Sequence, residues 1–158
     1  MKLSSGSVVF ALAVFFIVSG CKPDPVFPVE PVLTFDRFIQ NPGSDSLQVV
    51  FKFTDGDGDI GVPINSPQPN MLLTPFHPGA VQTYEHIVIP PGDTVRYEYR
   101  IPNLSAGQKG LEGDIYVTLN RSILYFAGED TLVFDAYLTD QAGHKSQVVR
   151  TTEVILLP

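Results

Sequence analysis

Residues 54–61 read TDGDGDIG, so Asp55, Asp57 and Asp59 stand at alternate positions with Gly56 and Gly58 between them. Three carboxylates this close repel unless they are solvated, protonated or shared by a cation. At about 6 Å a pair repels by only about 0.7 kcal/mol in bulk water, but several-fold more against protein. A hard cation resolves the conflict, because Ca2+ takes six to eight oxygen ligands at about 2.3–2.6 Å. Alternate aspartates can turn their carboxylates inward, the two glycines let the chain curl, and backbone carbonyls can add oxygens. The other reading is a polar Asp-Gly turn capped by Ile60 packing back on the core.

Asp-x-Asp-x-Asp also begins an EF-hand loop, but the match stops there. The sixth position, where that loop needs glycine, is Ile60, and the twelfth, where it needs glutamate, is Ser66. A calcium site at the end of a β-sandwich fits better, with Asp55, Asp57 and Asp59 as ligands. A fourth ligand, Asp140, comes from an internal echo. Residues 45–59 (DSLQVVFKFTDGDGD) and 130–144 (DTLVFDAYLTDQAGH) align without gaps. Both begin Asp-Ser/Thr-Leu, both reach Thr-Asp, and both place glycine three residues after that aspartate. In a seven-strand immunoglobulin-like order these are the second and sixth strands, central in opposing sheets, and the loops after them share one end. The echo therefore predicts that Asp140 joins the other three.

The elements that would position this loop read as all-β. Gly 13 and Pro 14 are high for a helical chain, and no stretch keeps a long 3.6-residue apolar period. Residues 46–54 alternate, with Leu47, Val49, Phe51 and Phe53 on one face and Gln48 and Lys52 on the other. Strands are also expected over 31–38, 81–89, 94–101, 113–120, 131–139 and 146–157. Val95, Tyr97, Tyr99 and Ile101 share one face, as do Ile115, Val117 and Leu119. PPGD at 90–93 is a turn. Five prolines make 62–80 mostly loop, with a short strand at 71–74 as an option. The expected fold is an immunoglobulin-like antiparallel β-sandwich of about seven strands over residues 32–158, one domain in a chain of 158 residues.

The N-terminus carries a different chemistry. Lys2 precedes an uninterrupted apolar run over residues 8–18, the length of a signal h-region and short for a membrane span. The run ends in Val18-Ser19-Gly20-Cys21, which resembles the bacterial lipobox: a branched apolar residue, two small ones, then the cysteine whose thiol takes the lipid. Residues 1–20 are then a lipoprotein signal peptide and Cys21, the sole cysteine, is lipidated. An ordinary secretory signal and a retained anchor are the alternatives. Several acyl chains at about 0.8 kcal/mol per buried CH2 make such anchoring effectively permanent. Residues 21–31 hold Pro23, Pro25, Pro28 and Pro31 and read as a stiff extended tether.

Function classes narrow from there. The net charge is −7 with scattered basic residues, which disfavours nucleic acid. His77, His86 and His144 lack metal-ligand spacing, there is no Gly-x-Ser-x-Gly elbow, and the only thiol goes to lipid. The aspartates share one loop instead of facing each other across a cleft. The chain reads as a non-catalytic protein with no catalytic residues. Trp is absent, so a glycan site would need tyrosines, and Tyr97 and Tyr99 read as core. An outer face displaying Tyr84, Tyr125 or Tyr137 would favour glycan binding. The 62–80 loop is a second candidate contact surface.

The lipobox, the Pro-rich tether, FTDGDGDIG (53–61), YRIPNL (99–104) and DTLVFDAYLTDQAGHKS (130–146) together resemble small surface lipoproteins of the Bacteroidetes type with an immunoglobulin-like domain. That resemblance implies a lipid-anchored protein of the cell envelope, at the outer membrane or cell surface, and supplies no activity. Lys22 and Asp24 resemble the charged surface-export tags of such proteins. The expected role is a binding or structural module with a protein or glycan partner. The alternative is a glycan-binding accessory protein of a surface nutrient-uptake system.

Overall fold

The computed structural model describes residues 26–81, 83–103, 109–124 and 130–157. Cys21, the signal segment, residues 21–25 of the tether and Tyr125 lie outside them. The described chain is all-β: two packed antiparallel sheets and a small hairpin, with one helical turn, α1 (Arg121–Leu124).

The first sheet orders β1 (Val32–Gln40), β2 (Ser46–Asp55) and β8 (Leu111–Asn120) as β1-β2-β8. The second contains β3 (Met71–Pro78), β4 (Tyr84–His86), β7 (Tyr97–Tyr99), β9 (Thr131–Leu138), β10 (Val149–Arg150) and β11 (Val154–Ile155). Its main path is β10-β9-β3-β4, with β11 on β9 and β7 on β3. β5 (Val88–Ile89) and β6 (Asp93–Thr94) make the hairpin, closed by the Gly92 amide on the Ile89 carbonyl at 2.8 Å. β2 and β9 are therefore the inner strands of opposing sheets, the arrangement of an immunoglobulin-like sandwich.

Alternation builds the core. Leu47, Val49, Phe51 and Phe53 of β2 are buried, as are Ile115, Val117 and Leu119 of β8, and they meet Leu132, Phe134, Ala136 and Leu138 of β9. Phe35, Phe38, Phe51 and Phe134 form a chain of tilted and edge-on rings with centroids 4.9–6.2 Å apart. Val95, Tyr97, Tyr99 and Ile101 pack against this core together, and burial pushes the Tyr99 phenol up to about 12. Val50 breaks the alternation: it faces outward yet is fully buried, paired in register with Arg37 on one side and Tyr116 on the other.

Three expected strands are broken. Residues 81–89 give β4 and β5, 94–101 give the end of β6 and then β7, and 146–157 give β10 and β11; β6 begins at Asp93, inside the expected turn. The last break has a visible cause. Ser146 and Thr151 each donate their backbone N–H to β9, at Leu138 and Phe134, but accept the return bond on a side-chain hydroxyl. A hydroxyl standing in for a carbonyl keeps the segment beside β9 while interrupting the ladder.

The larger correction concerns residues 62–80. Residues 62–70 and 79–80 are loop; 71–78 forms β3, an inner strand of the second sheet. Pro75 is tolerated because of register. It faces Phe134, whose N–H and C=O both bond Thr151 on the far side, so the pair exchanges no hydrogen bonds. On the other flank β7 pairs with 71–73 and β4 with 76–78, so Pro75 falls in the gap between them. A residue without an N–H fits where no ladder bond is required.

Candidate metal centre

β2 carries Asp55 to the end of one sheet, and β9 carries Asp140 to the same end of the other. The structure brings Asp55, Asp57, Asp59 and Asp140 together: one carboxylate oxygen from each lies within 4.8 Å of the other three. Asp55 and Asp140 are buried, and Asp57 and Asp59 are partly buried. All four expected site residues therefore converge.

The loop between them is held on every side. Asp55 Oδ2 accepts the amide of Ile60 at 3.1 Å, which ties the loop to a side chain fully buried in the core. Asp59 reaches across to the other loop, where its Oδ2 accepts the Ala142 amide at 3.0 Å and its carbonyl accepts that of Gln141. The Gly56 carbonyl accepts the Gly110 amide. The carbonyls of Gly56 and Asp59 thus brace the loop instead of standing free as extra ligands.

The two glycines do different jobs. Gly58 has φ +76°, the left-handed region where a side chain is strained. Gly56 is needed for space. Its amide donates to the Pro28 carbonyl at 2.7 Å, and a Cβ there would collide with the carbonyl oxygens of Phe27 and Pro28. Residues 27 and 28 of the expected tether are therefore seated on the aspartate loop, a contact no feature of the sequence signalled.

What remains is an excess of acceptors. The Oδ1 atoms of Asp55, Asp57 and Asp59 are all buried and have no hydrogen-bond partner. Buried polar atoms in folded proteins are nearly always satisfied, and ionised ones most of all. Desolvation pushes the carboxyls of Asp55 and Asp59 above the ordinary aspartate value; the amide of Ile60 opposes the rise at Asp55, and the charge of Asp140 reinforces it at Asp59. Asp140 differs from the others. Its Oδ1 accepts the His144 amide at 2.7 Å and its Oδ2 pairs with His144 Nδ1 at 2.8 Å, a contact that raises the imidazole above its usual value.

A divalent cation fits this set. Opposite ligands around Ca2+ stand about 4.6–5.2 Å apart, and around Mg2+ only about 4.0–4.2 Å. Four carboxylate oxygens that all lie within 4.8 Å of one another could hold such an ion. The three partnerless oxygens come from residues at alternate positions of one loop, and the fourth comes from the opposing sheet. No protein-family model, no curated protein and no solved structure matches this chain.

Proposed function

We propose that this chain is a lipid-anchored protein of the cell envelope, at the outer membrane or cell surface, whose sandwich is a non-catalytic binding or structural module with Ca2+ ordering its membrane-proximal end. One observation carries the calcium reading: three buried carboxylate oxygens without partners, with a fourth aspartate beside them. The ion would clamp β2 to β9 across the two sheets. It would also hold the loop on which residues 27 and 28, within the tether, are seated. In this reading Asp55, Asp57 and Asp59 are the principal ligands, Asp140 the fourth, and Cys21 carries the lipid. Support for the anchor is the sequence of residues 1–21 alone.

Thermal unfolding of the full chain in detergent, in EDTA and then in millimolar Ca2+, tests the cation. At a hundredfold excess over Kd the ion adds about 2.7 kcal/mol, an increase of roughly 10 °C in Tm for a domain of this size. Asp57→Asn should abolish the increase. An equal midpoint in EDTA and Ca2+ would leave the loop a polar turn. Incorporation of labelled palmitate, lost in Cys21→Ser, tests the anchor separately.

A further inference from the structure

The outer face of the second sheet carries a built surface that the cation does not use. A shallow cavity of about 280 Å3 opens there, over β3 and β9. Register arranges its floor in rows. Arg150, Asp135 and Thr74 lie side by side, and Arg96, just before β7, completes that polar row. On one side of it lie Tyr137 and Leu72, and on the other Val133, Phe76 and His86. A polar stripe thus runs between two stripes of apolar and ring surface.

The charges on this face are unequal in status. Arg150 is committed: its guanidinium grips Asp135 through two bonds of 2.6 and 2.7 Å and lies over the rings of Phe76 and Tyr84. Glu153 accepts the Tyr84 hydroxyl. Glu98 stands beside Leu72 at the β7 edge, outside the cavity lining. Lys145 sits over the Tyr137 ring at 3.4 Å. Arg96 is exposed, faces the cavity, and has no carboxylate partner among the described residues. Within the lining Asp135 is neutralised by Arg150, which leaves Arg96 as the cation there without a carboxylate partner, with ring surfaces on both flanks.

We infer that this recess binds one acidic sugar unit of a glycan, a uronate, with its carboxylate on Arg96. The guanidinium fork matches a carboxylate bidentately. The hydroxyl edge of a pyranose meets the polar row, where Asp135 is already fixed by Arg150 and Thr74 forms the floor. Its C–H face meets the His86 ring on one flank of that row. The volume is at the low end for ligand sites and suits one ring, while the open face lets a chain continue past it. This site is independent of the aspartate cluster, which lies at the end of the sandwich and not on this face.

Calorimetric titration of the full chain with tetragalacturonate tests the inference. It is run in EDTA, so that calcium cannot bridge acid to acid, beside an uncharged tetrasaccharide and an acidic tetrapeptide. The expected result is saturable binding of the uronate alone. Arg96→Gln, an exposed position, should weaken it about tenfold through loss of the charged fork. Tyr116→Ala, exposed on the opposite sheet, should leave it unchanged. Absence of uronate binding, equal binding of the uncharged sugar or the peptide, or full affinity in Arg96→Gln would each overturn it.

Discussion

The loops after β2 and β9 begin alike and end differently. Each starts with a buried aspartate at the end of an inner strand, and each places glycine three residues on in the left-handed region, Gly58 at φ +76° and Gly143 at +93°. Each aspartate reaches forward to a backbone amide, Asp55 to Ile60 and Asp140 to His144. The second loop then closes its own accounts, because His144 takes the other oxygen of Asp140. The first adds two more aspartates and leaves three oxygens without partners. The shared Asp-x-x-Gly spacing encodes a turn. Capacity for a cation comes from the oxygens left over once the turn has been made.

Perturbing the first loop should therefore cost more than perturbing the second, and should separate turn from ligand. The largest loss is expected from Gly56→Ala, which forces a methyl against the backbone of Phe27 and Pro28; about 3 kcal/mol should disappear in denaturant unfolding, with or without calcium. Asp55→Ala should cost about 2 kcal/mol even in EDTA, since the Ile60 amide loses its acceptor inside the fold. Asp57→Asn should do the opposite in EDTA, raising stability by up to about 1 kcal/mol through relief of like-charge repulsion, while abolishing the response to Ca2+. His144→Gln should have the smallest effect, because that side chain is 41% exposed and its ion pair is screened by solvent.

Titration sharpens the same contrast. The carboxyls of Asp55 and Asp59 are raised above 3.8, so without metal the native state takes up protons before the unfolded chain does. Their contribution in EDTA should therefore fall as pH rises from the ordinary carboxylate range through the raised values, and stay low above them. In Ca2+ the sign reverses, because protons compete with the ion. His144, raised above 6.5, stabilises fully below that value, and this is lost as pH rises through the higher folded one. Tm against pH for wild type and Asp59→Asn, in EDTA and in Ca2+, should show curves of opposite slope on the acid side for wild type only.

Much of this end was legible in the sequence. The alternation in 46–54 marks the core face of β2, and the 45–59/130–144 echo alone predicts Asp140 at the aspartate loop. Three things were hidden. Prolines at 75 and 78 masked β3, because a strand proline is harmless only in a particular register, and register is a property of three strands at once. The seating of Phe27 and Pro28 on Gly56 was hidden because a glycine needed for close approach looks the same in sequence as one needed for a turn. The outer-face row of Arg150, Asp135, Thr74 and Arg96 joins four separate segments, and no local spacing announces it.

The most direct test of the cation-held end is a calorimetric titration of Ca2+ into the full chain, with Asp57→Asn alongside. A metal centre at the four aspartates predicts saturable binding of one ion per chain that Asp57→Asn loses. No saturable binding in wild type, or the same binding in the variant, would contradict it.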